Sequence, residues 1–350
     1  MESLTGYGNI PVASRPYWLR GARLRKSYVG FGDALSLAGN LEFLSGLRGK
    51  LESIALQFGR LPYLRSLIGE PDLVMAWDKI AEAVMPQDAF LLHTGWYKET
   101  IFVGPVRGAR GELFFAKLFK NEGDARREIE RARFIEPMTR GLFRTAPVLV
   151  ESGSLIAYEL IEHGNTCVSY AHIETAAVAM AKASYMRSSQ STTVRGFLDW
   201  CALEAGLVSA GSSLSLSSLA DSSRRVQLAD CHGDFTPWNV FADRNGNLCL
   251  IDYERAETSV PFSDMFHLCI QYSALRGVAL PVDKLIETFA AKSSCSLQDV
   301  GLWLALYLGR QLQLDTEQWN DGKRHPQLSK LIKAKSALLK QTLKQLQAFN

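Results

Sequence analysis

One polar segment between two apolar runs constrains this chain more than any other feature. Residues 231–254 read C-H-G-D-F-T-P-W-N-V-F-A-D-R-N-G-N-L-C-L-I-D-Y-E, directly after the apolar run R-V-Q-L-A-D. The turn D-R-N-G-N predicts a β-hairpin, which would bring Asp252 back beside Asn239. The fold must therefore present His232, Asp234, Asn239 and Asp252 in one region between short strands.

These residue types fit one chemistry. Phosphoryl transfer needs a divalent metal and a carboxylate that orients or deprotonates the attacking hydroxyl. Mg²⁺ takes one or two carboxylate or amide oxygens and completes its shell with phosphate and water. Asn239 and Asp252 suit the metal, and Asp234 suits the base. A lone H-G-D is an ordinary polar turn, but H-G-D-x-x-x-x-N followed 13 residues later by Asp on an apolar strand is far more specific.

The same motifs resemble the aminoglycoside phosphotransferase and choline kinase group. The pattern H-G-D-x-x-x-x-N, a later D and a further D in P-F-S-D-M-F extends from His232 to Asp264. The resemblance implies a protein-kinase-like bilobal fold and phosphorylation of small-molecule hydroxyls with ATP. It implies Asp234 as catalytic base and Asn239 and Asp252 as Mg²⁺ ligands. It also implies that His232 and Asp264 support the loop structurally.

The fold class predicted is α+β, with a small antiparallel-sheet N-lobe and a mostly helical C-lobe. Upstream, A-F-L-L-H-T-G-W-Y-K-E-T-I-F-V-G-P-V and G-E-L-F-F-A-K-L-F predict an antiparallel hairpin. Residues 123–137 predict a helix ended by Pro137, and two further strands are expected around Gly153. After Gly164 the pattern is mostly helical, including the tail 302–346.

Lys117 is the candidate phosphate contact of the small lobe. It lies inside the apolar strand L-F-F-A-K-L-F, where a charge requires a partner. In a kinase-like lobe such a lysine contacts phosphates and is held by a helix carboxylate. Glu128 shares a helical stripe with Ala132 and Ile135, the expected inward face, and is preferred; Glu130 is the alternative.

Two further ATP contacts are assigned by position. Residues 93–100 contain one glycine and stand where a phosphate-covering loop belongs. The backbone of Glu159, Leu160 and Ile161 is predicted to form the hinge that meets the adenine edge.

Three parts are expected along the chain. Residues 1–85 form a helical N-terminal extension, with apolar residues at helical spacing over 41–56. Residues 86–162 form the nucleotide-binding N-lobe, and 163–350 form the C-lobe with the catalytic loop and acceptor site. The basic and aromatic arm at 15–26 is either a solvated arm that packs on its neighbour or a peripheral contact with an anionic surface.

Composition excludes several classes of protein. The 350 residues carry 39 Lys and Arg against 36 Asp and Glu, so no nucleic-acid partner is expected from bulk charge. An apolar fraction of 47% excludes intrinsic disorder. The six cysteines contain no C-x-x-C pair, and no signal peptide or apolar run of membrane-spanning length occurs. A cytoplasmic protein with reduced thiols is expected.

A small acceptor is favoured over a protein. Thr236 stands where protein kinases have a lysine, and only 11 residues separate Asp252 from Asp264, which leaves little room for a peptide-docking platform. The acceptor would be a sugar, an amino alcohol or an aminoglycoside-like molecule. The motifs D-F-T-P-W-N and D-Y-E are similar to those of bacterial members of the group, some of which are associated with surface-polysaccharide biosynthesis. The alternative is a nucleotide-binding pseudokinase that uses residues 1–85 as a scaffold arm.

Several aromatic and acidic side chains of the large lobe could line the acceptor site. They could equally be core residues or charged residues on helix surfaces. They are Trp200, Trp303, Tyr307, Trp319, Asp315 and Glu317.

Overall fold

The computed structural model describes most of the chain beyond residue 70 and three short strands before it. The described residues are 17–19, 27–31, 65–67, 71–93, 100–162, 164, 168–202, 216, 219, 224–321 and 326–349. They fall in two compact units. The first comprises Met1–Glu130, Arg144–Cys167 and Phe241–Ile251, and the second comprises Arg131–Phe143, Val168–Val240 and Asp252–Asn350. The division into three parts at residues 85 and 162 stays a prediction.

An antiparallel sheet dominates the first unit. Strands in this part of the chain are β1 (Tyr17–Leu19), β2 (Ser27–Phe31), β3 (Arg65–Leu67), β4 (Pro86–His93), β5 (Thr100–Gly108), β6 (Leu113–Phe119), β7 (Arg144–Thr145), β8 (Val148–Ser152) and β9 (Leu155–Glu159). Over the described residues the large sheet has the order β3-β1-β2-β4-β5-β6-β9-β8, with antiparallel pairing throughout. The predicted hairpin is confirmed as β5 and β6, and the two strands around Gly153 as β8 and β9.

Two helices accompany this sheet. Helix α1 spans Pro71–Val84 and α2 spans Glu122–Thr139. Trp77 and Ile80 of α1 pack in one buried cluster with Leu91, Phe102 and Leu118 of the strands. Phe102 and Leu118 are register partners on β5 and β6, so their side chains lie on the same face of the sheet.

The predicted end of the second helix is wrong. Pro137 lies inside α2, which continues to Thr139. A proline lacks its own N–H donor and crowds the carbonyl one turn earlier, yet the hydrogen bonds beyond it persist, since Arg140 N still donates to Glu136 O over 3.1 Å. The chain leaves the helical path at Gly141, whose φ is +80°.

The first 85 residues contribute to the sheet. Strands β1, β2 and β3 extend it beyond β4, which the sequence did not predict. Tyr17–Leu19 of the basic arm are part of β1. The predicted helical stretch at 41–56 lies outside the described residues.

A small three-stranded sheet carries the predicted hairpin. Strands β13 (Val240–Ala242) and β14 (Leu248–Leu250) are neighbours, and β14 pairs in parallel with β7. Asp243 closes the turn, because its N–H donates to Asn247 O at 2.9 Å and its carbonyl accepts from Gly246 N at 3.0 Å. The predicted hairpin between Asn239 and Asp252 is therefore present.

The second unit is mostly helical. Its helices are α3 (Tyr170–Arg187), α4 (Val194–Trp200), α5 (Ser263–Arg276), α6 (Val282–Ser293), α7 (Leu297–Asn320) and α8 (Pro326–Phe349). Its short strands are β10 (Ser191–Thr193), β11 (Arg225–Gln227), β12 (Ala229–Cys231) and β15 (Glu257–Ser259). Phe266, Leu304 and Leu308 are fully buried in its core. Among the helices of the described residues, none has the length and apolar character required to span a bilayer.

Candidate functional site

The loop that joins β12 to β13 is held by Asp264, the second residue of α5. Asp264 Oδ2 accepts the backbone N–H of His232 at 2.8 Å, and Oδ1 accepts that of Gly233 at 2.9 Å. Burial raises the pKa of Asp264, and the two hydrogen bonds from the backbone N–H groups of His232 and Gly233 oppose that rise. This side chain fixes the backbone immediately before Asp234.

Gly233 allows the loop to pass close to a neighbouring segment. Its φ is +78°, and a Cβ there would lie 2.0 Å from the carbonyl oxygen of Arg255. Only glycine fits both the left-handed conformation and this close approach. The glycine of H-G-D is therefore a geometric requirement of the loop.

His232 is completely buried beneath the loop. Its Nδ1 accepts the backbone N–H of Asp234 at 3.3 Å. Its ring meets those of Phe235 and Tyr253 edge-on, with centroid distances of 6.2 and 5.6 Å. Through these contacts His232 packs against the loop and against Tyr253.

Asp234 is connected to two polar side chains. Asn239 Nδ2 donates to the backbone oxygen of Asp234 at 2.8 Å and to Oδ2 at 3.3 Å. Asp234 Oδ1 lies 3.1 Å from Nε2 of His267, which projects from α5. Burial acts to raise the pKa of Asp234, but the hydrogen bond with His267 and the nearby charge of Arg255 outweigh it and lower the pKa overall. The carboxylate is thus ionised at neutral pH.

His267 is not among the site residues predicted from the sequence. The residue stands three positions after Asp264, and this helical spacing places both side chains on one face of α5. Since Asp264 reaches His232 and Gly233, the same face also approaches Asp234. That spacing is the signal that could have identified it.

Asp252 follows β14 in a left-handed conformation, with φ of +71°. Such a φ is rare for a residue with a Cβ and costs about 1–2 kcal/mol. A hairpin returns the chain toward its start, so Asn239 before β13 and Asp252 after β14 come to the same end of the hairpin. The next turn is fixed by Arg131 of α2, which donates to the carbonyl of Glu254.

The chemistry of these donors fits a magnesium ion. Asn239 directs Nδ2 to Asp234, which leaves the amide oxygen as its ligand atom. Asp252 supplies a carboxylate, the other ligand type that Mg²⁺ prefers. In the described part of the chain, no group of three or more His, Cys, Asp and Glu side chains forms a metal-binding cluster. An amide and one carboxylate would thus need phosphate and water to complete the shell.

Lys117 and Glu128 form an ion pair in the first unit. Lys117 Nζ donates to Glu128 Oε1 at 2.7 Å, and the same oxygen lies 3.3 Å from the hydroxyl of Tyr158, which donates to it. Glu128 is 2% exposed, and its Oε2 has no hydrogen-bond partner among the described residues. Glu130, the alternative, is exposed. The structure therefore places Glu128 beside the strand lysine.

The end of β9 is tied to neighbouring backbone. Glu159 N–H donates to Pro147 O at 2.9 Å, and Leu160 N–H donates to Leu113 O at 3.3 Å. The Glu159 side chain accepts from Arg144 at 2.7 Å, and Ile161 is buried. Of the predicted phosphate-covering loop 93–100, residues 94–99 lie outside the described part.

The acceptor candidates divide between core and surface. Trp303 and Tyr307 are buried, and Trp303 stacks on Phe262 at 5.8 Å. Asp315 is also buried, where it accepts from Lys335 Nζ at 2.7 Å. Trp200 is 59% exposed. Asp315 is therefore a structural partner of Lys335 in this arrangement.

The part of the chain that carries the loop matches a protein-family model. Residues 216–294 match the model of a phosphotransferase enzyme family. This range includes Asp234, Asn239, Asp252, Asp264 and His267. The resemblance inferred from the sequence motifs is confirmed over this segment. No curated protein matches the chain.

Solved structures with similarity to the chain include three phosphotransferases. Choline kinase LicA from Streptococcus pneumoniae is 14% identical, with 80% of this chain and 100% of that chain covered and a TM-score of 0.48. A thermostable mutant of aminoglycoside phosphotransferase APH(4)-Ia, in a ternary complex with ADP and hygromycin B, is 13% identical, with 71% and 93% covered and a TM-score of 0.48. Macrolide 2'-phosphotransferase MphH from Brachybacterium faecium is 14% identical, with 71% and 90% covered and a TM-score of 0.43.

Proposed function

We propose that the chain is an ATP- and Mg²⁺-dependent phosphotransferase that phosphorylates a hydroxyl group of a small molecule. The observation that carries the proposal is the contact between Asn239 Nδ2 and Asp234, at 2.8 Å to the backbone oxygen and 3.3 Å to Oδ2. It places the proposed base Asp234 beside the proposed metal ligand Asn239, in a loop whose backbone is held by Asp264. The match of residues 216–294 to a phosphotransferase family supports the same assignment.

Asp234 would act on the acceptor. The hydroxyl oxygen forms a bond to the γ-phosphorus, and the bond from that phosphorus to the β–γ bridging oxygen breaks, so ADP leaves with the electron pair. Asp234 takes the proton of the hydroxyl. Its lowered pKa keeps the carboxylate ionised at neutral pH, the form that can accept a proton. Its side chain is 21% exposed, so a hydroxyl can approach it from solvent.

Nucleotide and metal would be held by other residues. Lys117, held by Glu128, would contact the α- and β-phosphates, as the equivalent lysine does in kinase-like sites. The backbone at Glu159 and Ile161 would meet the adenine. Mg²⁺, when bound by Asn239 and Asp252, would neutralise phosphate charge during transfer.

A small acceptor is favoured by the segment after Asp252. This segment contains β15, which pairs with β12 from Cys231↔Glu257 to Ala229↔Ser259, and then enters α5 at Ser263. No stretch remains there for an extended peptide platform. We propose a sugar, an amino alcohol or an aminoglycoside-like acceptor, with surface-polysaccharide metabolism as the proposed setting.

The test is phosphorylation of a defined acceptor panel by the full chain with MgATP. Sugars, amino alcohols and aminoglycosides are each incubated with wild type and with Asp234→Asn, and products heavier by one phosphoryl group are sought by mass spectrometry. ADP release is measured in parallel without acceptor. A product with wild type but not with the variant is expected. MgATP binding with neither product nor ADP from wild type would contradict the proposal and favour a nucleotide-binding scaffold.

A further inference from the structure

A buried histidine connects Asp234 to the interior of the helical unit. His267 Nε2 lies 3.1 Å from Asp234 Oδ1, and His267 Nδ1 lies 3.0 Å from the hydroxyl oxygen of Tyr307 on α7. His267 and Tyr307 are each 2% exposed. Three side chains from the loop, α5 and α7 thus form a continuous hydrogen-bonded chain.

The chemistry of the three groups sets the direction of these hydrogen bonds. An ionised carboxylate can only accept, so Nε2 of His267 must carry a proton and donate to Asp234. In a neutral ring Nδ1 then accepts, and the hydroxyl of Tyr307 donates to it. Burial raises the pKa of Tyr307 well above its ordinary value, so its hydroxyl keeps the proton that it donates. Tyr307 thereby selects the tautomer that serves Asp234.

His267 and Asp234 differ in their exposure to solvent. The His267 side chain is 3% exposed, whereas that of Asp234 is 21% exposed. The imidazole therefore contacts the carboxylate from the protein side and leaves its other side open to solvent. Asn239 touches the other carboxylate oxygen at a longer 3.3 Å. His267 is thus the closer of the two side-chain contacts that limit rotation of this carboxylate.

We propose that His267 is a positioning residue that holds the Asp234 carboxylate toward the acceptor, with Tyr307 fixing its ring and tautomer. The inference rests on the proposed function and adds to it a specific requirement for orientation of the base. A histidine that merely fills the core would support stability but would not affect turnover separately from nucleotide binding.

The kinetic test compares variants of these side chains in the full chain, with hydrolysis of MgATP to ADP as the probe. His267→Leu removes the donor, His267→Gln keeps an N–H donor, and Tyr307→Phe removes only the hydroxyl. Tyr170→Phe is the matched control, because its hydroxyl contacts Cys269 of the same helix α5 at 3.6 Å. Circular dichroism and urea denaturation establish which variants are folded.

His267→Leu is expected to lower kcat by about 10- to 100-fold while the KM for MgATP changes less than about threefold, because small displacements of a catalytic group are costly. His267→Gln should recover most of that loss, Tyr307→Phe should lose less than His267→Leu, and Tyr170→Phe should match wild type. A folded His267→Leu with the kcat of wild type would overturn the inference. A loss shared by Tyr170→Phe would also overturn it.

A spectroscopic measurement tests the role of His267 even if His267→Leu does not fold or wild type shows no turnover. Long-range ¹H–¹⁵N spectra of the imidazole distinguish a protonated ring nitrogen from a bare one. A protonated Nε2 whose resonance shifts in Asp234→Asn is expected. A bare Nε2, or a resonance that Asp234→Asn leaves unchanged, would overturn the inference. Wild type without any turnover would instead contradict the proposed function.

Discussion

Lys117 Nζ and Glu128 Oε1 lie 2.7 Å apart and join strand β6 to helix α2. Both side chains are largely buried, with exposed fractions of 11% for Lys117 and 2% for Glu128. A pair in such surroundings is costly to break, because removal of one charge takes away the close counter-charge of the other buried group. The pair therefore stabilises the first unit and also holds Lys117, the proposed phosphate contact, in position.

The first prediction concerns the two glutamates of α2. Glu128→Ala should lower the free energy of unfolding by about 3 kcal/mol, because it removes the carboxylate that lies 2.7 Å from the buried Lys117 ammonium. Glu130→Ala, at an exposed position of the same helix, should change it by less than about 0.5 kcal/mol. Urea denaturation of both variants measures the difference. Equal stabilities would show that the buried pair contributes nothing to folding.

The choice between these glutamates could be made from the sequence because helical periodicity is a local property. Glu128 shares its stripe with apolar residues, which turns it toward the sheet and toward Lys117. Strands β5, β6, β8 and β9 were predictable for the same reason, since alternation and turn residues lie within a few positions of each other.

The contact of His267 with Asp234 could not be predicted in that way. The two residues are 33 positions apart, and their meeting depends on the packing of α5 beneath the loop. The addition of β1–β3 to the sheet is likewise a long-range pairing that no local pattern specifies. Pro137 predicts a helix end because proline is unfavourable inside helices, but this preference does not specify where in the last turn the helix stops.

The second prediction concerns two glycines with similar backbone conformations. Gly233 has φ of +78° and Gly246 has φ of +82°, so alanine costs the same backbone strain at both, about 1–2 kcal/mol. At Gly246 an added Cβ meets nothing within 4 Å, whereas at Gly233 it lies 2.0 Å from the carbonyl oxygen of Arg255. Gly233→Ala should therefore displace the loop as well as strain it.

Turnover and unfolding of the two alanine variants measure this difference. Gly246→Ala should retain wild-type turnover, and Gly233→Ala should lose about 100-fold or more, because Asp234 moves with the loop. If Gly233→Ala were as active as Gly246→Ala, the close approach to Arg255 would not control the position of the base.

The third prediction is a pH dependence at the hairpin turn. The side chain of Asn247 donates to Asp243 at 3.1 Å, and this bond, aided by the Asn247 and Asn245 backbone and by Arg144, outweighs burial and lowers the pKa of Asp243. A lowered folded pKa means that the unfolded chain binds the proton more readily. The stability from Asp243 is therefore complete above its ordinary pKa of 3.8 and is lost as the pH falls below it.

Urea denaturation of wild type and Asp243→Asn at a series of pH values tests the direction of this change in stability. The variant should be less stable than wild type at pH 7, and the gap should narrow once the pH falls below about 4. A gap that widens on acidification would mean that the carboxylate is not held in its ionised form by the turn.

If Asp234 acts as the base while Asp252 helps to hold metal and nucleotide, substitutions at the two positions should affect different steps. Calorimetry of MgATP binding and steady-state turnover are measured on wild type, Asp234→Asn and Asp252→Asn. Asp234→Asn should bind MgATP within about threefold of wild type and lose about 100- to 10,000-fold in kcat. Asp252→Asn should weaken binding itself. Loss of MgATP binding by Asp234→Asn to the same extent as by Asp252→Asn, or undiminished turnover in Asp234→Asn, would contradict this assignment.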